Sequence, residues 1–206
     1  MSVKVKICGI TTPAQAEVAQ NVGVDALGLV LYEKSSRYVE AYRARSICDV
    51  VDKHVKTIAL LVNATKKQVE QTIEELNPDF LQFHGDETAE FCNQFNFPFI
   101  RAIRMQDHLH IATAIKGYRA SGGFLFDAWE NAKYGGTGSS FDWGRLPQIR
   151  DFRLVLAGGL TIDNVAQAVA MVSPDMVDVS GGVESSPGVK DPHLMAEFIR
   201  RAKAVP

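Results

Sequence analysis

The sequence is short of cysteine. Its three thiols, Cys8, Cys48 and Cys92, are odd in number and lack CxxC spacing, so neither a disulfide framework nor a zinc site is indicated. It also lacks long apolar runs. None could span a bilayer, and the opening Met1-Ser2-Val3-Lys4-Val5-Lys6 alternates charge with valine where a signal peptide would be continuously apolar. Neither charge sign dominates: 22 Lys and Arg against 24 Asp and Glu leave a net charge of −2. That balance gives no reason to expect nucleic acid or an anionic membrane as a partner. No linker, low-complexity tract or charge block divides the chain. Residues 1–206 are therefore expected to form one domain, with the cytoplasm as the default compartment.

What is present is an ordinary globular composition, 46% apolar and 22% charged, in a chain long enough to bury a sizeable core. Strand-like runs begin near Val3, Ala26, Lys56, Phe80, Phe99, Gly123, Leu154 and Met176, with helical patterns between them. Thr12-Pro13 reads as an N-cap followed by an N1 proline, and Lys66 to Leu76 as an amphipathic helix. Thr161 to Val172 and Asp191 to Ala204 supply the last two helices; those after the fourth, fifth and sixth strands are less distinct. Eight alternating units predict an α/β fold, a single-domain (β/α)₈ TIM barrel, over an open doubly wound sheet. Ala128 to Ser140, with Gly135-Gly136-Thr137-Gly138, is long and glycine-rich enough to be a lid.

Two glycine pairs end the last two strands, Gly158-Gly159 after Leu154-Val155-Leu156-Ala157 and Gly181-Gly182 after Met176-Val177-Asp178-Val179-Ser180. One such pair is no more than a tight turn. Two of them on consecutive parallel strands suit a phosphate, because bare N–H groups can approach it closely. The other strand ends of such a barrel present Cys8, Arg37, His84 and Asp127. Cys8 could be a small buried hydrophobe, but at a strand mouth beside Gly9 a thiol can serve as a base. Asp127 could cap the next turn or act as an acid, and Arg37 could be a solvated loop charge or a carboxylate clamp. His84 reads as a packed strand-end histidine, Cys48 and Cys92 as structural, and His54, His108, His110 and His193 as surface residues. No His, Asp and Glu set has metal-ligand spacing, which leaves metal-free acid–base chemistry on a phosphorylated small molecule. Side-chain parity also places Lys6 below Cys8 and Asp178 below Ser180. If these face the interior, Lys6 and Asp178 form a buried pair whose positive end favours the Cys8 thiolate.

These residues lie in segments that together resemble the phosphoribosylanthranilate isomerases. The segments are Lys6-Ile7-Cys8-Gly9-Ile10-Thr11, Ser35-Ser36-Arg37-Tyr38-Val39, Leu81-Gln82-Phe83-His84-Gly85 and Leu125-Phe126-Asp127. They continue with Gly135-Gly136-Thr137-Gly138, Phe141-Asp142-Trp143, Ala157-Gly158-Gly159-Leu160, Val177-Asp178-Val179-Ser180, Gly182-Val183-Glu184 and Pro187-Gly188-Val189-Lys190-Asp191. The resemblance implies an Amadori rearrangement of N-(5′-phosphoribosyl)anthranilate, with Cys8 as general base and Asp127 as general acid. It implies Arg37 facing the anthranilate carboxylate, and Gly158, Gly159, Asp178, Ser180, Gly181 and Gly182 in substrate binding. No cofactor or metal is called for, and a monomer or weak homodimer is expected. Two positions depart from the family's usual pattern: Ser36 stands where proline is usual, and Gly181 where a second serine is frequent. Rival readings differ at strand one. A histidine-pathway phosphoribosyl isomerase would carry an aspartate there, indole-glycerol-phosphate synthase needs a catalytic lysine at a strand mouth, and a non-catalytic phosphate-binding module would leave Cys8, Asp127 and Arg37 unexplained.

Overall fold

Strands buried on both faces are nearly continuous apolar runs, and eight of them close on each other in this chain. The computed structural model describes residues 2–128 and 141–205. Most of the expected lid, 129–140, therefore lies outside the described residues. The strands are β1 (Lys4–Cys8), β2 (Ala26–Val30), β3 (Lys56–Leu61), β4 (Phe80–Phe83), β5 (Phe99–Met105), β6 (Gly123–Ala128), β7 (Leu154–Leu156) and β8 (Met176–Val179). All neighbours run parallel, and β1 closes the barrel against β8 with Lys6 opposite Asp178. The predicted barrel and its strand order are found.

Helices α1 (Pro13–Asn21), α2 (Ala41–Cys48), α3 (Lys66–Leu76), α4 (Ala89–Asn93), α5 (Ile111–Ala114), α6 (Val165–Val172) and α7 (Pro192–Lys203) follow their strands. Local chemistry sets their starts. Thr12 caps α1 ahead of Pro13, Thr65 and Gln68 form a reciprocal capping box on α3, and Asp191 accepts from His193 N and Leu194 N at α7. The helix expected from Thr161 begins instead at Val165. The Asn164 side chain accepts from Thr161 N and donates to Gly159 O, holding the intervening residues in a turn that leaves the glycine loop.

The indistinct helices are short. α4 has 5 residues and α5 has 4, and between β6 and β7 the described residues hold only a 3₁₀ turn at Trp143–Arg145. Aromatic packing covers β4 and β5 in their place, with Phe83 edge-on to Phe99 at 5.5 Å and stacked on Phe95 at 6.1 Å.

Alternation along the strands sorts the core into two layers. Ile7, Leu27, Leu29, Phe126, Leu156 and Val177 face the helices. Ala26, Ile58, Ile100, Leu125 and Val155 fill the barrel floor. Above that floor Val30, Leu60 and Val62 keep part of the interior apolar while Gln82, His84, Asp127 and Asp178 make the rest polar, and the site begins.

Candidate active site

Strand parity puts Lys6, Cys8, Gln82, Asp127 and Asp178 on the inner face toward the C-terminal end of the barrel. A cavity of about 350 Å³ opens there. Cys8, Arg37, Asp127 and Asp178 line it together with Gly158, Gly159, Ser180, Gly181 and Gly182, so the structure brings every expected site residue to one place.

Cys8 ends β1 opposite Gly28 of β2. A Cβ on Gly28 would lie 2.8 Å from Cys8 Sγ and 3.0 Å from Lys6 Nζ, so only glycine leaves room for both groups. One layer down, Lys6 Nζ donates to Asp178 Oδ2 at 2.8 Å, which is the pair that parity predicts. Asp178 Oδ1 has no hydrogen-bond partner among the described residues. Burial alone would lower the Lys6 pKa, but Asp178 and Cys8 outweigh it and hold the ammonium above its ordinary value. Lys6 favours the Cys8 thiolate, as expected, through its charge and a hydrogen bond. Burial pushes the Cys8 thiol up, and Lys6 and Lys190 pull it down without cancelling that rise.

Asp127 occupies the mouth of β6. Its Oδ1 accepts from Ala128 N at 2.9 Å, and its Oδ2 lies 3.2 Å from His84 Nε2. On the other side of the imidazole, Gln82 Nε2 lies 2.9 Å from Nδ1. An amide nitrogen only donates, so with the amide oriented this way Nδ1 accepts and Nε2–H points at Asp127. His84 is thus a partner of the carboxylate and lines the cavity, where the sequence reading had it as packing. The available signal was the two-residue spacing from Gln82, which puts both side chains on one face of β4.

Arg37 reaches the cavity from the loop after β2, but one edge of its guanidinium is already taken. Nε and Nη2 donate to Glu184 at 2.8 and 2.7 Å. Glu184 also accepts from Lys190 Nζ at 2.7 Å. Burial would raise the Glu184 carboxyl, yet Arg37 and Lys190 together hold it below the usual carboxylate range. Among the described residues the Nη1–Nη2 edge meets no second carboxylate. Glu184 and Lys190 belong to a hairpin absent from the sequence reading, β9 (Glu184–Ser186) and β10 (Val189–Lys190).

The glycine loops touch. Gly158 (φ 82°) and Gly159 (φ 62°) adopt the left-handed backbone. A Cβ on Gly158 would come within 2.5 Å of Ala128 N, and one on Gly182 within 2.0 Å of Leu160 O. Both loops are therefore packed too closely for side chains, which leaves their main chain to meet a ligand. A glycine-lined wall of this kind, facing a thiol, a carboxyl group and an arginine, suits acid–base chemistry on an anionic molecule anchored by phosphate.

Residues 5–201 match the family profile of N-(5'phosphoribosyl)anthranilate (PRA) isomerase. The chain belongs to this family. It is 44% identical over 198 residues to the N-(5'-phosphoribosyl)anthranilate isomerase of Pseudomonas syringae pv. tomato, covering 96% of each chain. The crystal structure of phosphoribosyl anthranilate isomerase from Thermotoga maritima superposes with a TM-score of 0.89 at 34% identity, over 98% of this chain and 99% of that one. A phosphoribosyl anthranilate isomerase in complex with reduced 1-(o-carboxyphenylamino)-1-deoxyribulose 5-phosphate gives 0.85 at 32% identity, with the same coverage. The chain is thus a phosphoribosylanthranilate isomerase of tryptophan biosynthesis. Among the described residues, no three His, Cys, Asp or Glu side chains group to hold a metal ion, and no helix is long and apolar enough to cross a membrane.

Proposed function

We propose that Cys8 and Asp127 are the base and acid of the rearrangement of N-(5′-phosphoribosyl)anthranilate to 1-(2-carboxyphenylamino)-1-deoxyribulose 5-phosphate. The observation that carries this reading is their placement. Both line one cavity, three strands apart around the barrel, with the paired glycine loops along the wall between them. Asp127 gives a proton to the furanose ring oxygen, the C1′–O bond breaks, and an iminium forms at C1′. Cys8, as thiolate, takes the C2′ proton. Those electrons form the C1′–C2′ double bond of an enolamine, which tautomerises to the ketone. Each proton transfer contributes roughly 10²–10⁴-fold.

The remaining residues bind. Gly158, Gly159, Ser180, Gly181 and Gly182 hold the phosphate through main-chain donors, which supplies positioning energy from a group that does not react. Arg37 offers its free edge to the anthranilate carboxylate. Asp178 Oδ1, without a hydrogen-bond partner among the described residues, accepts from a substrate N–H or O–H. The same reading takes residues 1–206 as one catalytic domain of a cytoplasmic enzyme that works as a monomer or weak homodimer without a cofactor.

The test follows the fluorescence of phosphoribosylanthranilate as it is consumed. Asp127→Asn should lose nearly all turnover, since an amide cannot protonate the ring oxygen. A substrate analogue whose ring is already open should be affected less. Equal loss on both substrates would remove Asp127 from the ring-opening step.

A further inference from the structure

A buried lysine stands behind the cavity wall and is not needed to touch any reacting atom. The Lys190 side chain has 0% exposed surface, and its ammonium has three donors to satisfy. It donates to Glu184 Oε1 at 2.7 Å, to Ser180 O at 3.1 Å and to Ser180 Oγ at 3.3 Å. Each acceptor leads to a different part of the site. Glu184 grips Arg37 along one guanidinium edge, Ser180 opens the second glycine loop, and its hydroxyl donates to Cys8 O at 3.0 Å.

We propose that Lys190 is a positioning residue whose ammonium ties the Arg37 loop, the Ser180–Gly182 loop and the end of β1 into one unit, and whose charge keeps the carboxylate-binding corner net positive. The charge count is simple. Arg37 and Glu184 cancel as a pair, and Lys190 restores a net positive charge where an anionic substrate must dock. An ammonium so far from water costs free energy unless every donor is used, and here all three are. The proposal rests on the reading of Cys8 as base and Arg37 as carboxylate ligand.

Cys8 itself is faced by Lys6 on its own strand, Asp178 on β8, Lys190 on β10 and Arg37 on the loop after β2. Removing Lys190 takes away one of the cations that oppose burial of the thiolate.

The experiment compares wild type with Lys190→Met, Lys190→Arg and the double variant Lys190→Met/Glu184→Gln. Thiolate ultraviolet absorbance is titrated against pH, each time as the difference from the same protein carrying Cys8→Ser. Cys48 and Cys92, pushed up by burial to about 11 and about 12, cancel in that difference. Lys190→Met should move the Cys8 titration to higher pH by roughly one unit and raise KM about tenfold. Lys190→Arg should recover part of both. The double variant also covers the case in which Lys190→Met is too unstable to handle. It should keep the alkaline shift but recover KM, because Arg37 is then no longer neutralised. An unchanged Cys8 titration in a folded Lys190→Met or double variant overturns the proposal, whatever happens to activity. Retained activity in Cys8→Ser would instead overturn the base assignment, leaving the titration result readable by itself.

Discussion

Lys6 and Asp178 meet at 2.8 Å across the β1–β8 junction that closes the barrel, directly beneath the cavity. Strand parity alone brings them together, since each sits two residues before the group at its strand's mouth. Lys6→Met should destabilise the fold by about 3–5 kcal/mol, because it leaves a buried carboxylate without its cation. Lys6→Met/Asp178→Leu should recover most of that loss but not the turnover, and denaturant melts of the two variants measure it. The pH dependence follows from the raised Lys6 pKa. Its contribution is fully present below the ordinary lysine value and fades as pH climbs through the higher folded value, so the wild type should lose this stabilisation only in strong alkali. Equal stability of Lys6→Met and wild type would show the pair to be energetically idle.

Gly28→Ala tests the space around the thiol. The new methyl group would fall 2.8 Å from Cys8 Sγ and 3.0 Å from the backbone at Cys8 Cα, and the latter cannot swing away. Stability should fall by about 1–3 kcal/mol from overpacking. Turnover should fall by more than that loss implies, at least about tenfold, because the proposed base is displaced from its proton. A variant with normal kcat at a temperature where it is fully folded would show that the Gly28 contact does not position Cys8.

Arg37→Ala should raise KM for the carboxylate-bearing substrate by about tenfold to a hundredfold, with a smaller effect on kcat. It also strips Glu184 of its larger partner, so the comparison must include an aniline analogue without the carboxylate. Loss of discrimination between the two substrates supports direct recognition. Unaltered discrimination would confine Arg37 to holding Glu184.

Most of the barrel is legible in the sequence because its strands are buried on both faces and read as apolar runs bounded by polar turns. The start of each strand from Ala26 to Met176 falls where those runs begin. The short α4 and α5 were indistinct because 5 and 4 residues are too few to display a helical period. Cys8, Asp127 and the glycine loops were recoverable from their positions at strand ends. For His84 the spacing from Gln82 signals a shared face of β4, but its approach to Asp127, 43 residues further on, leaves no mark in the sequence. The grip of Glu184 on Arg37 joins residues 147 apart in sequence, and its link to Lys190 depends on the β9–β10 hairpin. Spacing gives no hint of either contact. Gly28 reads as an ordinary strand glycine until the register sets it against Cys8.

The direct test of the central claim is the turnover of Cys8→Ala alongside its affinity for the reduced product analogue. The account predicts a fall in kcat of roughly 10²–10⁴-fold with analogue affinity kept within about an order of magnitude, since the thiolate moves a proton and the loops and Arg37 do the binding. Cys8→Ser should be almost as inactive, a hydroxyl being a far weaker base. A Cys8→Ala enzyme that kept about a tenth or more of wild-type kcat would contradict the account, because the C2′ proton would then be leaving to another group.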